Sequence, residues 1–131
     1  MGKFRGMKSI KFIIEKTKTG YSAYCAEKPI FTTGLNIYKL QTNALEATNL
    51  YLEEFGKKVS MDKIGFELDF QQFFEYHKVI NAKHLAKRIN MNETLLSQYV
   101  NGKKKPSKKQ VDRILEGLHE MGRELMELSL V

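Results

Sequence analysis

The spacing of the apolar residues changes along the chain, and this change constrains the fold more than any other feature. Before residue 69, apolar and polar residues alternate in several short stretches on either side of one helical stretch, and alternation is the period of a half-buried β-strand. After it, apolar residues recur at steps of three and four, the period of one face of an α-helix. The pattern predicts the α+β class: a small β-β-β-α-β domain over residues 1–68, followed by an all-α domain over residues 69–131.

Three short stretches near the start are rich in the β-branched and aromatic residues that favour strands, and they cover residues 10–16, 21–26 and 30–33. A positive φ at Gly20 would suit the hairpin turn between the first two. Alternation over residues 64–70 predicts a fourth strand. Asn36 is the expected N-cap of a helix that Gly56 ends and that covers one face of the sheet. The apolar stripe of that helix is Leu40, Ala44, Leu45, Ala47, Thr48, Tyr51, Leu52 and Phe55.

Composition excludes several classes of protein. Of the 131 residues, 42% are hydrophobic and 28% are charged, the proportions of a globular chain and not of a disordered one. No apolar stretch approaches the roughly 18 residues of a membrane span, and none forms the core of a signal peptide. Cys25 is the only cysteine, so a monomer can form neither an internal disulfide nor a cysteine-based zinc site. We expect a cytoplasmic protein without metal or cofactor.

The residue types that an active site needs are not clustered in the sequence. Glu15 is the only acidic residue on the predicted sheet before Glu27, and Cys25 has no histidine near it. His77 and His84 are separated by about 10 Å along a helix, too far to share one metal ion. A nuclease would need grouped carboxylates to hold two magnesium ions. We therefore predict no catalytic residue and no enzymatic activity.

Positive charge is concentrated in one part of the chain. The formal net charge is +7 at pH 7, whereas the window Lys78–Arg113 alone has a net charge of +8. The rest of the chain is therefore close to neutral, and the window predicts an anionic partner. Against Glu93 and Asp112, the window contains ten basic residues: Lys78, Lys83, Lys87, Arg88, Lys103, Lys104, Lys105, Lys108, Lys109 and Arg113.

The same window has the pattern of two short helices joined by a tight turn. Asn81 is the expected N-cap of the first, and Asn92 that of the second, which Asn101 and Gly102 end. The apolar residues are Ala82, Leu85, Ala86 and Ile89 in the first helix, and Leu95, Leu96, Tyr99 and Val100 in the second. Ser107 is the expected N-cap of a long helix that would either form a dimer or cover the core of its own domain. Its apolar stripe is Val111, Ile114, Leu115, Leu118, Met121, Gly122, Leu125 and Leu128.

These two helices resemble the helix-turn-helix of the Cro and phage-repressor (XRE) family over about 40 residues. The resemblance lies in Leu85-Ala86-x-x-Ile89-x-Met91, followed by Leu96-Ser97-x-Tyr99-x-Asn101-Gly102-Lys103-Lys104-x-Pro106-Ser107. The point where the two helices cross needs a small side chain, which Ala86 would supply. Met91 and Leu96 would fill the space between the helices. The alternative is a helical hairpin whose lysines form only a solvated loop.

The resemblance implies that the second helix enters the major groove of double-stranded DNA, where each base pair presents a distinct pattern. The base-reading candidates are then Asn92, Glu93, Thr94, Ser97 and Gln98. The phosphate-binding candidates are Asn81, Lys83, Lys87, Asn101, Lys103, Lys104 and Lys105. Because one such unit contacts only a half-site, we expect a homodimer or higher oligomer that reads an inverted repeat in an operator.

The first domain resembles the partial ribonuclease-H-like fold of HicB-type antitoxins. The resemblance lies in a strand that ends in Ile-Glu-Lys, a turn with Gly20-Tyr21, a third strand that leads to Gly34, and a helix that ends in Tyr51-Leu52-Glu53-Glu54. Coupled to a helix-turn-helix, this is the longer HicB architecture. The family's proline-rich segment before the third strand is replaced by Cys25-Ala26-Glu27-Lys28-Pro29-Ile30.

The second resemblance implies a toxin-antitoxin function. HicB proteins bind a small HicA-like toxin that cleaves messenger RNA, and they repress the operon that both genes share. The chain would then neutralise its toxin with residues 10–69 and bind its operator from Lys78 onward. The alternative is a stand-alone XRE-type transcriptional regulator whose first domain binds another protein or a ligand.

Overall fold

The computed structural model describes residues 10–130 and confirms the mixed α+β class, with a four-stranded sheet and five α-helices in that part of the chain. The strands are β1 (Ile10–Lys16), β2 (Tyr21–Cys25), β3 (Phe31–Gly34) and β4 (Ile64–Leu68). The helices are α1 (Ile37–Glu53), α2 (Phe70–Tyr76), α3 (Ala82–Arg88), α4 (Glu93–Val100) and α5 (Lys108–Met126), and a 3-10 turn covers Met61–Lys63.

The chain divides into two compact units, with the border between Phe73 and Phe74. The border lies inside α2, whereas the sequence pattern placed a boundary between residues 68 and 69. Residues 1–9 of the expected first domain lie outside the described residues. Each unit has its own buried residues and is described separately below.

The sheet of the first unit has the strand order β3-β2-β1-β4. β1 pairs with β2 and β2 with β3 in antiparallel orientation, whereas β1 pairs with β4 in parallel, with Phe12 opposite Phe66. A parallel pair needs a connection that crosses back over the sheet. The segment from β3 through α1 to β4 makes this connection.

The core of the first unit lies between one face of the sheet and α1. Alternate residues of β1, namely Ile10, Phe12 and Ile14, are buried, as the two-residue period of a strand requires. They belong to one cluster with the buried side of α1, and the rings of Phe12 and Phe66 stack with centroids 5.9 Å apart. The buried residues of α1 are Leu40, Ala44, Thr48 and Leu52. Phe55, expected on the same stripe, lies beyond the end of α1 and is exposed.

Side-chain hydrogen bonds define where the helices begin, as their sequences predict. The side-chain oxygen of Asn36 accepts from the backbone N–H of Lys39 at 2.8 Å. Asn81, Asn92 and Ser107 make the equivalent bonds at the starts of α3, α4 and α5. Each bond satisfies one of the backbone donors that a helix leaves unpaired in its first turn.

Gly20 does not have the positive φ expected of it; in residues 10–130, the glycines with positive φ are Gly56 and Gly102. Its role is close packing. A Cβ atom at Gly20 would collide with the carbonyl oxygen of Gly34 and would lie 2.8 Å from the Cα of Leu35. The prediction of a left-handed turn was wrong because a distant backbone segment, and not the local turn, requires the glycine there.

Gly20→Ala should therefore destabilise the first unit by about 1–3 kcal/mol, the usual cost of forcing atoms into a packed site. Urea unfolding followed by circular dichroism measures the difference. Gly122→Ala is the matched control, because a Cβ at Gly122 would meet nothing within 4 Å and alanine favours a helix by up to about 1 kcal/mol over glycine. Equal unfolding midpoints for wild type and Gly20→Ala would contradict the close-packing account.

Candidate functional site

The turn between α3 and α4 closes with the hydrogen bonds of a Schellman motif. The N–H of Met91 donates to the carbonyl of Ala86 at 2.9 Å, and the N–H of Asn90 donates to that of Lys87 at 3.3 Å. Asn90 has a φ of 55°, which makes it the one non-glycine residue with positive φ in residues 10–130. Asparagine is one of the few side chains that tolerate this position at a helix end. The turn is therefore a defined structure of four residues.

The three side chains that were expected to fill the contact between α3 and α4 are buried. Ala86 is fully buried, and Met91 and Leu96 are buried as well. Ile114 of α5 is 0% exposed, and it is the large apolar side chain that α5 buries completely in the core of the second unit. A Cβ at Gly117 would collide with Cγ2 of Ile89 and would lie 3.3 Å from Cδ1 of Leu85. α5 can therefore approach the turn closely only because residue 117 is glycine.

One side of α4 is polar and exposed. Thr94, Ser97 and Gln98 are spaced at three and four residues and so share a helix face; the first two are exposed and Gln98 is half-buried. Leu96 and Tyr99 occupy the buried side. Glu93 is also exposed, in the first turn. The five base-reading candidates thus lie on or next to one accessible surface, to which Leu95, half-buried, adds apolar area.

Two of these candidates already hold structural hydrogen bonds. The side-chain oxygen of Asn92 accepts from the N–H of Leu95 at 3.0 Å and so caps α4. The hydroxyl of Ser97 accepts from the side-chain N–H of Asn101 at 3.1 Å. The amide N–H₂ of Asn92 and the hydroxyl hydrogen of Ser97 can still donate. Glu93, Thr94 and Gln98 therefore present the acceptors and donors of this surface that are least committed to structure.

The loop after α4 holds lysines at the end of the same helix. Gly102 has a φ of 74°, and the N–H groups of Lys103 and Lys104 both donate to the carbonyl of Gln98, at 2.9 and 3.2 Å. These bonds fix the backbone of the loop against α4. All seven phosphate-binding candidates are exposed: Asn81, Lys83, Lys87, Asn101, Lys103, Lys104 and Lys105. Asn81 has a second role, since its side chain caps α3 by accepting from His84 N–H at 3.1 Å.

The two arginines of the basic window donate hydrogen bonds to acceptors within the second unit. Arg88 of α3 donates to Glu124 of α5 at 2.7 and 3.0 Å and to Glu120 at 3.2 Å. The hydrogen bonds from Arg88, and then its positive charge, lower the pKa of the Glu124 carboxyl, while the hydrogen bond from Glu124 raises the pKa of Arg88. Two carboxylates from outside the window thus neutralise Arg88, and the outward basic surface consists of lysines.

Sequence reasoning missed three residues that shape this site: Arg88, Arg113 and Gly117. Arg88 and Arg113 were counted only as positive charges. Gly117 lies inside a strongly amphipathic helix, where a glycine costs about 1 kcal/mol relative to alanine and so indicates a packing reason. Arg113 lies four residues earlier, on the same helix face. That spacing was the available signal that this face of α5 contacts another helix closely.

No group of three His, Cys, Asp or Glu side chains in residues 10–130 converges where it could hold a metal ion. Cys25 is buried in the core of the first unit. In the same range, no helix is long and apolar enough to cross a membrane.

Comparison of the chain with models of protein families, with curated proteins and with solved structures finds no match.

Proposed function

We propose that this chain is a sequence-specific DNA-binding protein that inserts α4 into the major groove. The observation that carries the proposal is a helix with one polar, accessible face and one buried side, followed directly by three lysines. The backbone N–H groups of the first two lysines are hydrogen-bonded to the end of that helix. Side chains on such a face can reach base edges, while lysines at the helix end can contact phosphates. A structural helical hairpin would not need both features together.

Each polar residue of this face has a chemically suitable target. Gln98 can pair bidentately with adenine, Thr94 can contact a thymine methyl group, and Glu93 can accept from the amino group of cytosine. The lysines and the N–H groups at the starts of α3 and α4 bind phosphate oxygens. Bases then choose the sequence, and phosphates fix the position of the protein on the duplex.

Thr94→Ala with Gln98→Ala should abolish the preference for the operator and spare weak non-specific binding. Lys103→Ala with Lys104→Ala should weaken both and reduce the slope of affinity against salt by about 2, because each phosphate contact releases about one counterion. Fluorescence anisotropy measures the affinity of each variant and its dependence on salt. The two DNA probes are a duplex that the wild-type protein selects from a random library and a shuffled version of that duplex.

Lys57→Ala with Lys58→Ala is the matched control, since both lysines are exposed and lie in the first unit. It removes the same charge away from the proposed site and should leave the operator preference unchanged. Unchanged DNA binding by the Thr94→Ala, Gln98→Ala variant or by the Lys103→Ala, Lys104→Ala variant would count against the proposal.

We assign the homodimer expected for an inverted repeat to the exposed end of α5. Leu118 and Met121 are half-buried, whereas Leu125, in the last turn of α5, is 64% exposed. Leu128 was expected on the same stripe, but α5 ends at Met126, so Leu128 lies just beyond the helix, where it is 73% exposed. Apolar side chains grouped on an exposed helix end favour contact with another protein surface. The N-terminal half of the stripe covers the unit's own core through Ile114, and the C-terminal half is left for a second copy.

Leu125→Ser with Leu128→Ser should therefore shift the protein from dimer to monomer in sedimentation velocity. Leu50→Ser is the control, because Leu50 is similarly exposed but lies on α1. A wild-type monomer at every concentration, or a dimer in the double variant, would contradict this assignment.

The first unit, by its resemblance to HicB antitoxins, would neutralise a small RNA-cleaving toxin, and the whole chain would repress its own operon. Three exposed side chains in one segment support a protein partner: Phe31, Leu35 and Tyr38 are 65%, 76% and 74% exposed. The alternative, a stand-alone regulator with a ligand-binding first unit, is favoured by a groove of about 370 Å³ between Thr17, Thr33, Leu35 and Lys39.

Expression of the neighbouring gene distinguishes the two. An antitoxin should co-purify with a small basic protein encoded beside it, and it should rescue the growth of cells that express that protein. Phe31→Ser with Tyr38→Ser should reduce both effects, whereas the control Leu128→Ser should reduce neither. Failure of both co-purification and rescue would favour the stand-alone regulator.

A further inference from the structure

The turn between α3 and α4 is held from outside by one side chain of α5. Nη2 of Arg113 donates to the carbonyl of Ile89 at 2.7 Å and to that of Asn90 at 2.8 Å. Nη1 donates to Oε1 of Gln110, in the preceding turn of α5, at 3.0 Å. The guanidinium therefore binds two successive carbonyls of the turn and is itself oriented by its own helix.

The turn needs such a partner. The Schellman bonds use the carbonyls of Ala86 and Lys87, and a helix end leaves further carbonyls without intrahelical donors. Asn90 has a positive φ, which asparagine tolerates better than most residues but which few residues adopt without support, so contacts around the turn stabilise this conformation. Arg113 supplies both missing donors, and its positive charge is favourable at the C-terminal end of α3.

The side chain of Ile89 is held by the same face of α5. Gly117 lies one turn after Arg113, and Ile89 occupies the space that a Cβ there would need. On the other side of the turn, Met91 is buried and Asn92 caps α4. Every residue from Ile89 to Asn92 is thus fixed by a contact. We call the two hydrogen bonds from Arg113 to the carbonyls of Ile89 and Asn90 the Arg113 clamp. The first turn of α4 follows this turn directly, so the direction of α4 depends on the clamp.

We propose that Arg113 is a positioning residue of the DNA site: it sets the direction in which α4 projects and thereby the selectivity for operator sequence, without contacting DNA itself. This inference rests on the proposed DNA-binding function. Base pairs are recognised by hydrogen bonds that weaken steeply with misalignment. Flexible lysines on phosphates tolerate a small rotation of α4. Loss of the clamp should therefore reduce specific binding much more than non-specific binding.

Three variants separate positioning from charge. Arg113→Met keeps most of the aliphatic stem and removes all donors, and Arg113→Lys keeps the charge but lacks the planar fork that binds two acceptors together. Arg123→Met is the matched control, because Arg123 is an exposed arginine on the same helix. Affinity is measured on the duplex selected by the wild-type protein and on its shuffled counterpart, and amide hydrogen exchange is measured by NMR without DNA.

For Arg113→Met, the ratio of operator to shuffled affinity should fall by about tenfold, the equivalent of one lost base contact. Its affinity for the shuffled duplex should equal that of Arg123→Met. Exchange should accelerate at the Met91 amide and in the first turn of α4, but not in α1. Arg113→Lys should show the same changes to a smaller extent, and it carries the test if circular dichroism shows that Arg113→Met does not fold.

An unchanged affinity ratio in a folded Arg113 variant would overturn the proposal, as would equal losses on both duplexes. Unchanged exchange at Met91 would show that Arg113 does not hold the turn and would overturn it as well. If the wild-type protein selects no duplex at all, the proposed DNA-binding function fails, and the exchange data then report separately whether the clamp exists.

Discussion

Helices as short as α3 and α4, with seven and eight residues, are not stable in water by themselves. α4 packs on α3, and α3 in turn depends on the packing of α5 against it. That packing centres on Ile114, which is completely buried, and on Gly117, which lets α5 approach Ile89 and Leu85 closely. The ion pair of Arg88 with Glu120 and Glu124 extends the same contact along α5. Without this packing, neither the turn nor the polar face of α4 would have a fixed geometry.

The same constraint divides the positive charge between two uses. Arginine has a planar group with five donors, which suits fixed acceptors such as carboxylates and carbonyls. Here Arg88 and Arg113 bind such acceptors inside the second unit. Lysine is a flexible point charge, and Lys83, Lys87 and Lys103 to Lys105 are exposed where phosphates would lie. The basic window thus contains two arginines that stabilise the structure of the proposed site and a set of lysines that would attract DNA.

Local features could be predicted from the sequence, and contacts between distant residues could not. Asn36, Asn81, Asn92 and Ser107 begin helices as expected, because a cap acts over three residues. Gly56 and Gly102 have the positive φ that suits helix ends. By contrast, Gly20 packs against the backbone at residues 34 and 35, and Arg113 reaches carbonyls more than twenty residues away. No short-range pattern encodes such partners. The position of Thr94, Ser97 and Gln98 on one face of α4 followed from helical period alone. The hydrogen bonds that Asn92 and Ser97 make within the protein could not be predicted in this way.

The most direct test of the account is the selection of duplexes from a random library by the wild-type protein, followed by a hydroxyl-radical footprint on the enriched sequence. A dimer that inserts one α4 into each half-site should enrich an inverted repeat and protect two half-sites about 10 base pairs apart, or a multiple of that spacing, on one face of the duplex. A selected pool without an enriched motif, or a footprint without symmetry, would contradict the central claim that α4 reads operator DNA.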